Sequence, residues 1–267
     1  SIMRTVRLTS LLVFLPPRPI PFTATAPPRD SVENFVMEPA MMYLTPSTLP
    51  IFESFAALGS ARSLCAKSCS ARTVSSFFLM VYPGERAYLF ADCGVIPNPT
   101  AEELAEIAIA SAESARTFLE EEPRVAMLSF SNFGSVKHPA SKKVWEAVAM
   151  LHAEYPQLAV DGEMQADTAL VEAILTRYYP GSRLGGKANV LIFPELSGAN
   201  ICYKLLSQLG GAQAIGPILV GMAAPVHVLQ RGSDVDAIVN LTVIAAVDAQ
   251  ERGRLARTRA GAAPTAS

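Results

Sequence analysis

From about residue 73 onward, apolar runs of strand length alternate with segments of helical periodicity, and this alternation constrains the fold more than any other feature of the chain. A strand that is followed by a helix and another strand builds a sheet whose strands run mostly in parallel. We therefore expect an α/β domain with a mostly parallel sheet flanked by helices. In such sheets, functional groups collect at the carboxyl ends of the strands.

Turn and capping residues divide this alternation into elements. A Pro–Gly pair separates two apolar runs, residues 74–81 and 86–91, which predicts a hairpin. Thr100 and Glu103 have the spacing of a capping box, so a helix is expected immediately after Thr100. Further strands are expected at residues 124–130, 189–193, 214–220 and 225–229. Further helices are expected over residues 141–152, around residue 203 and over residues 234–250.

The first part of the chain has a different composition. Residues 1–70 contain dense Pro patches and little sustained periodicity, which predicts few regular elements. We divide the chain into four segments. They are an irregular segment at 1–70, an α/β domain at 71–220, a cleft segment with a C-terminal helix at 221–252, and a flexible tail at 253–267.

Composition excludes several classes of protein. The chain has 267 residues, of which 50% are hydrophobic and 17% charged, with a formal net charge of −2. That balance suits a packed core and argues against intrinsic disorder, and the lack of a basic surplus argues against a nucleic-acid binder. Pro or Gly interrupts the apolar runs before the roughly 20 residues that a bilayer helix needs, so no membrane span is expected.

The N-terminal residues bear on cellular location. Residues 8–15 follow Arg4 and Arg7 and are similar to the apolar part of a secretory signal. Pro16 and Pro17 end that stretch early. The sequence therefore predicts a cytoplasmic protein.

Spacings typical of metal and nucleotide sites are missing from the sequence. Cys65 and Cys69 have no second Cys or His pair downstream. Neither a Walker loop nor a Gly-x-Gly-x-x-Gly motif occurs. The three histidines lie far apart in the sequence, at His138, His152 and His227. We expect neither a metal site nor a covalently bound cofactor.

Two segments carry groups that can bind an anion. The loop of residues 131–135 joins a predicted strand to a predicted helix, so the hydroxyls of Ser131 and Ser135 can donate to a phosphate; the alternative is an ordinary turn. Asn200, Tyr203 and Lys204 fall at i, i+3 and i+4, which predicts that they share one helix face beside a crevice. The alternative there is a plain surface face.

A third candidate precedes the last predicted helix. Arg231 follows Gln230 in a loop, where a guanidinium can hold a phosphate or an oxyanion through two hydrogen bonds. The alternative is a solvated arginine. We expect Ser135, Asn200 and Arg231 to meet in one pocket, because each follows a separate strand.

Three longer segments of the sequence resemble the phosphate acetyl/butyryltransferase family. They are FADCGVIPNPTAEELAEIA (residues 90–108), GKANVLIFPELSGANICYKL (186–205) and AIGPIL (214–219). The resemblance implies a two-domain α/β subunit with the fold of isocitrate and isopropylmalate dehydrogenases, usually a homodimer. It also implies acyl transfer between coenzyme A and phosphate without a metal. Residues 1–70 do not match, so the first domain is expected to be incomplete, as after a truncation or a frame-shifted reading.

The resemblance also implies roles for residues before the last helix. The family uses an Asp to deprotonate the thiol of coenzyme A, and a Ser–Arg pair to hold phosphate. Arg231 matches the family Arg, whereas Gln230 stands in place of the Ser and Ala237 in place of the Asp. Asp236 projects about 100° around the helix from Ala237 and is an imperfect substitute. The catalytic candidates are therefore Arg231, Gln230 and Asp236.

A second resemblance leaves an alternative open. Three further segments are similar to the phosphotransacetylase-like domain of bacterial malic enzymes. They are DGEMQADTALV (residues 161–171), SNFGS (131–135) and PVHVLQ (225–230). That domain is associated with acetyl-CoA binding and regulation rather than acyl transfer. The alternative is thus a catalytically impaired acetyl-CoA-binding module with a malic enzyme domain as its partner.

Overall fold

The computed structural model describes residues 41–43, 73–84, 86–222, 224–230 and 233–261, so most of the predicted irregular segment lies outside the described residues. Its strands are β1 (Met41–Tyr43), β2 (Ser75–Tyr82), β3 (Arg86–Ala91), β4 (Arg124–Leu128), β5 (Ala159–Met164), β6 (Val190–Ile192), β7 (Gln213–Val220) and β8 (Val226–Val228). Its helices are α1 (Ala101–Phe118), α2 (Pro139–Glu154), α3 (Ala166–Leu170), α4 (Glu172–Tyr178), α5 (Leu196–Leu209) and α6 (Val235–Gly261).

The described strands form one sheet in the order β1-β8-β7-β2-β3-β6-β4-β5. Parallel pairs join β3, β6, β4 and β5 in turn, and join β1 to β8. The hairpin makes β2 antiparallel to β3, and β2 also runs antiparallel to β7. Of the seven neighbouring pairs among the described strands, four are parallel, which confirms the predicted α/β fold.

Strand direction defines two edges of this sheet. The carboxyl ends of β3, β4, β5 and β6 lie together, and we call the loops that follow them the carboxyl edge. The turn between β2 and β3 lies at the opposite end of the strands, which we call the hairpin edge. Since β8 runs antiparallel to β7, and β7 runs parallel to β3, the chain leaves β8 toward the hairpin edge.

Helices cover both faces of the sheet. Phe77 and Leu79 of β2 face a core that includes residues of α1, α2 and α6. Phe78 and Met80 face a second core with α3, α4 and α5. Successive side chains of a strand point to opposite faces, so a strand that is buried on both faces is mostly apolar. Residues 77–80 are accordingly an unbroken apolar run, and the two serines before them, Ser75 and Ser76, are buried as well.

Turn and capping residues close together in the sequence correctly predict several elements. The hairpin is confirmed, and so is the capping box, in which the Glu103 backbone N–H donates to Thr100 Oγ1 at 3.2 Å and the Thr100 N–H donates to Glu103 Oε2 at 2.9 Å. The last helix was predicted to end near residue 250, but it continues to Gly261. Part of the predicted tail is therefore helical.

Strand β5 has no counterpart among the predicted elements because its side chains are polar where a strand pattern should be apolar. Asp161 is buried, and its Oδ2 accepts hydrogen bonds from Ser182 Oγ and the Arg183 N–H, both at 2.7 Å. Gly162 has φ +148°, and a Cβ there would lie 2.6 Å from Met127 O on β4. Close approach of the two strands therefore requires glycine at this position.

Candidate functional site

The loop after β3 is organised by Asp92, which is 3% exposed. Its carboxylate accepts hydrogen bonds from Ser76 Oγ at 2.7 Å, the Gly94 N–H at 3.0 Å and the Ile96 N–H at 2.7 Å. Burial raises the pKa of Asp92, and these hydrogen bonds only partly offset that effect. The carboxylate thus fixes the path of the chain from β3 toward α1, next to the other loops of the carboxyl edge.

The loop of residues 131–135, between β4 and α2, already holds an anion, the carboxylate of Glu163. Glu163 Oε1 accepts hydrogen bonds from Ser131 Oγ and the Gly134 N–H, both at 2.8 Å. The Phe133 N–H donates to the backbone oxygen of Glu163 at 2.7 Å. Glu163 is 1% exposed, and its Oε2 has no hydrogen-bond partner among the described residues.

The two serine hydroxyls of this loop are also bonded inside the protein. A hydroxyl has one proton, and Ser131 gives its proton to Glu163, so Ser135 is the donor in the 3.2 Å contact between the two Oγ atoms. The Asn132 N–H donates to Ser135 Oγ and the Val136 N–H to Ser131 Oγ, each at 3.0 Å. The prediction that Ser131 and Ser135 donate to a bound phosphate does not fit this arrangement, because both protons have inner acceptors.

The N-terminus of α5 is occupied by a carboxylate as well. Glu195 Oε2 accepts from the Ser197 N–H at 2.9 Å, and its Oε1 accepts from the Gly198 N–H at 2.7 Å. The amide groups that would attract a phosphate at a helix start are therefore satisfied by the preceding residue.

Lys143 of α2 reaches the same edge and was missed by the sequence analysis. Its Nζ donates to Asn98 Oδ1 and to Pro194 O, both at 2.9 Å, and so joins the loops that follow β3 and β6. Partial burial lowers the pKa of Lys143. The negative charges of Glu195 and Glu103 raise it, but by less than burial lowers it. A lysine within an amphipathic helix has no local signal that distinguishes it from a surface lysine.

The three candidates on α5 are not equally accessible. Asn200 lies next to the β3 loop, where its Nδ2 is 3.5 Å from Cys93 O. Lys204 is exposed, with its Nζ 5.2 Å from the centroid of the Tyr203 ring. Tyr203 is 6% exposed and stacks on Phe78 at a centroid distance of 4.1 Å. The expectation that Tyr203 lines a crevice is corrected, because α5 buries this position in the core.

Two of the three candidates around the start of the last helix, Gln230 and Asp236, lie within the described residues. Gln230 follows β8, which leads toward the hairpin edge, and its Nε2 donates to Gly216 O of β7 at 3.3 Å. Asp236 is exposed in the first turn of α6. Arg231 lies outside the described residues. Strands β7, β2 and β3 lie between β8 and β6, the strand that precedes Asn200. The expectation that Ser135, Asn200 and Arg231 meet in one pocket stays a prediction.

Fold and site together define an α/β protein whose buried carboxylates organise the loops at the carboxyl edge of its sheet. Within the described residues, no group of three or more His, Cys, Asp or Glu side chains is placed to hold a metal ion. No helix in the same part of the chain is long and apolar enough to cross a bilayer.

Comparison with known proteins gives the family. Residues 53–246 match the family model described as phosphate acetyl/butaryl transferase, and the chain belongs to this family. It is 49% identical over 192 residues to a phosphate acetyltransferase of Paracoccus denitrificans, covering 70% of this chain and 60% of the relative. It is 51% identical over 185 residues to a phosphate acetyltransferase of Thermoanaerobacterium thermosaccharolyticum, covering 67% and 56%.

A solved structure agrees with the sequence relatives. The crystal structure of a phosphotransacetylase from Streptococcus pyogenes superposes with a TM-score of 0.66 at 43% identity, covering 69% of this chain and 56% of that one. The chain thus spans a little over half the length of these relatives.

Proposed function

We propose that the protein transfers an acetyl or other short acyl group between coenzyme A and inorganic phosphate. The observation that carries this proposal is the family match over residues 53–246, which includes both the carboxyl edge and the segment around Gln230. The relatives named above are phosphate acetyltransferases, which favours a transferase over an acetyl-CoA-sensing module of the malic-enzyme type.

The reaction needs a base for the thiol and positive charge for the phosphate. The thiol of coenzyme A loses its proton, and the sulfur attacks the carbonyl carbon of acetyl phosphate. A carbon–sulfur bond forms, the carbon–oxygen bond breaks, and phosphate leaves with the electron pair. A free thiol has a pKa of about 8.5, so a neighbouring carboxylate that accepts its proton increases the amount of nucleophile at neutral pH.

We assign these roles to the residues between β8 and α6. Arg231 holds the phosphate through two hydrogen bonds, and the amide of Gln230 supplies a further donor. Asp236 accepts the thiol proton, and its exposed position in the first turn of α6 is compatible with that role. The resemblance places the base at Ala237, one position away, so we expect slower proton transfer than with a carboxylate at that position.

Residues of α5 and the carboxyl edge have supporting roles in this proposal. Asn200 and Lys204 line the crevice for coenzyme A or phosphate, with an amide and an exposed ammonium on successive turns of α5. Tyr203 supports that helix from the core side, and Ser131 and Ser135 keep the neighbouring loop in place. Coenzyme A and acetyl-CoA are substrates rather than resident cofactors. We further propose a homodimer that works in the cytoplasm, as the family resemblance implies.

Turnover by the purified full chain tests the proposal. We expect coenzyme A-dependent breakdown of acetyl phosphate, with release of phosphate and formation of the thioester. Arg231→Gln should lower kcat/KM by about 100-fold, because removal of a donor to developing charge has effects of that size. Arg116→Gln is the matched control, since Arg116 pairs with Glu122 on the exposed surface at 3.4 Å.

Calorimetry with acetyl-CoA distinguishes the transferase from the alternative. Tight binding without turnover of acetyl, propionyl or butyryl substrates would overturn acyl transfer and support the sensing module. A chain that neither binds acetyl-CoA nor turns over any of these substrates would reject both functions.

A further inference from the structure

A cavity of about 530 Å³ opens at the hairpin edge, away from the loops of the carboxyl edge. It lies on the face of the sheet that carries α5, because Phe90, Leu191 and Leu206 belong to or pack against the core on that side. Its volume is within the range of about 300–1,000 Å³ that small-molecule sites have. The cavity is lined by Tyr82, Pro83, Gly84, Arg86, Tyr88, Phe90, Leu170, Lys187, Leu191 and Leu206.

The chemistry of this lining combines aromatic rings with positive charge. The rings of Tyr82 and Tyr88 meet edge to face at a centroid distance of 6.0 Å. Lys187 Nζ lies 5.1 Å from the centroid of the Tyr88 ring. Both rings can contact a planar ligand, because offset-stacked and edge-to-face ring contacts are both attractive.

The two cations of the cavity are not neutralised by the part of the chain that the structure describes. No described residue of the lining is acidic. Among the described residues, no carboxylate lies within ion-pair distance of Arg86 or Lys187, whereas Arg116 and Arg252 each have one. Two cations beside aromatic rings are complementary to a ligand that carries both phosphate and a planar ring.

We propose that this cavity binds an adenine nucleotide, with the base against Tyr88 and the phosphate on Arg86 and Lys187. The shared chemistry is a purine ring joined to phosphate, and two molecules can supply it. One is a free nucleotide that binds apart from the transfer site, and the other is the nucleotide end of coenzyme A. Only the second source rests on the proposed acyltransferase function.

Titration calorimetry with ADP, adenosine and inorganic phosphate tests the proposal on the full chain. We expect ADP to bind at least tenfold more tightly than either fragment, because base and phosphate are held by different residues of one cavity. Lys187→Gln and Arg86→Gln should each weaken ADP binding by about tenfold. Tyr88→Leu should weaken ADP and adenosine by similar factors, while it leaves the charges in place.

Arg116→Gln is the control variant, because Arg116 lies on α1 at the opposite face of the sheet. It removes one positive charge and should leave the affinity for ADP unchanged. ADP that does not bind at millimolar concentration, or that binds equally well to the Lys187 and Arg86 variants, would overturn the proposal.

The kinetics of the Lys187→Gln variant with coenzyme A identify the source of the ligand. If Lys187→Gln raises the KM for coenzyme A with kcat unchanged, the cavity receives the nucleotide end of the substrate. If the variant loses ADP but keeps the KM for coenzyme A, the cavity is a separate nucleotide site. Absence of turnover in the unmodified chain would count against the proposed function alone, because the ADP titration requires no catalysis.

Discussion

The two edges of the sheet differ in where their charged groups find partners. At the carboxyl edge, Glu163 and Glu195 take up the donors of a loop and a helix start that look, from their residues, like phosphate-binding elements. At the hairpin edge, Arg86 and Lys187 flank a cavity with no described carboxylate in its lining. A loop with the composition of an anion site can be filled by the protein's own carboxylate. Hydrogen-bond donors in such a loop therefore indicate a ligand site only where no group of the protein accepts their hydrogen bonds.

The largest effect expected from this contrast concerns Glu163. Glu163→Ala leaves the Ser131 hydroxyl and the Gly134 N–H without their acceptor, which should lower the free energy of unfolding by about 3 kcal/mol. Glu163→Gln can keep the Oε1 acceptor and should lose less than about 1 kcal/mol, since Oε2 has no partner among the described residues. Urea unfolding of both variants measures the difference. Equal losses would contradict the role of Glu163 Oε1 as the internal acceptor of these two hydrogen bonds.

Asp92 gives a second, smaller test at the same edge. Asp92→Asn places an NH₂ group opposite the Ile96 N–H, which now donates to Oδ2 at 2.7 Å, and should lower stability by about 2 kcal/mol. Ser76→Ala removes the hydroxyl donor at 2.7 Å and leaves the backbone donors in place, so its cost should be about 1 kcal/mol. Thermal unfolding of both variants checks the order. The reverse order would show that the hydrogen bond from the Ile96 N–H contributes less to stability than the one from the Ser76 hydroxyl.

Long-range partners explain which parts of this edge could be predicted from the sequence. The hairpin of β2 and β3 and the Thr100 cap depend on residues close together in the chain, so their patterns were sufficient. The bond from Ser131 to Glu163 spans 32 residues, and nothing in the local sequence of either residue indicates it. The polar side chains of β5 concealed that strand for the same reason, because their hydrogen bonds rather than apolar character allow them to be buried.

Residue spacing carries less information about the candidate site than about the fold. Helical spacing grouped Tyr203 with Asn200 and Lys204, but spacing does not show that Phe78, from a distant strand, covers the tyrosine ring. The resemblance to the family was correct and is confirmed by the match over residues 53–246. The roles of Gln230, Arg231 and Asp236 stay predictions, which the turnover of their variants tests.

A third prediction concerns the attachment of α6 and its dependence on pH. Asp248 Oδ2 lies 3.4 Å from Nε2 of the buried His227 on β8, and its Oδ1 accepts from Arg252 Nε at 2.8 Å. Burial alone would raise the pKa of Asp248, but the contacts with His227 and Arg252 outweigh it and lower the pKa. Because the pKa is lower in the folded state, this stabilisation is complete above the ordinary Asp pKa of about 4 and is lost as the pH falls through the folded value.

Comparison of Asp248→Asn with the unmodified chain measures that contribution. At pH 7 the variant should be about 1 kcal/mol less stable, and the difference should shrink as the solution is acidified below about pH 4. Glu251→Gln is the control on the same helix, since Glu251 pairs with Arg254 at the surface and should change stability by less than about 0.5 kcal/mol. A constant difference between pH 7 and pH 3 would contradict a contribution of the Asp248 charge to stability.

The smallest effect is expected at the hairpin edge and completes the contrast with Glu163. Lys187→Gln removes a charge that no described carboxylate neutralises, so it should change the free energy of unfolding by less than about 0.5 kcal/mol. The same substitution should abolish most of the extra stability that added ADP gives, because a ligand stabilises the folded chain only as far as it binds it. Thermal unfolding with and without ADP measures both quantities. A large loss without ADP would mean that the Lys187 charge stabilises the folded chain itself, and the two edges would then be alike.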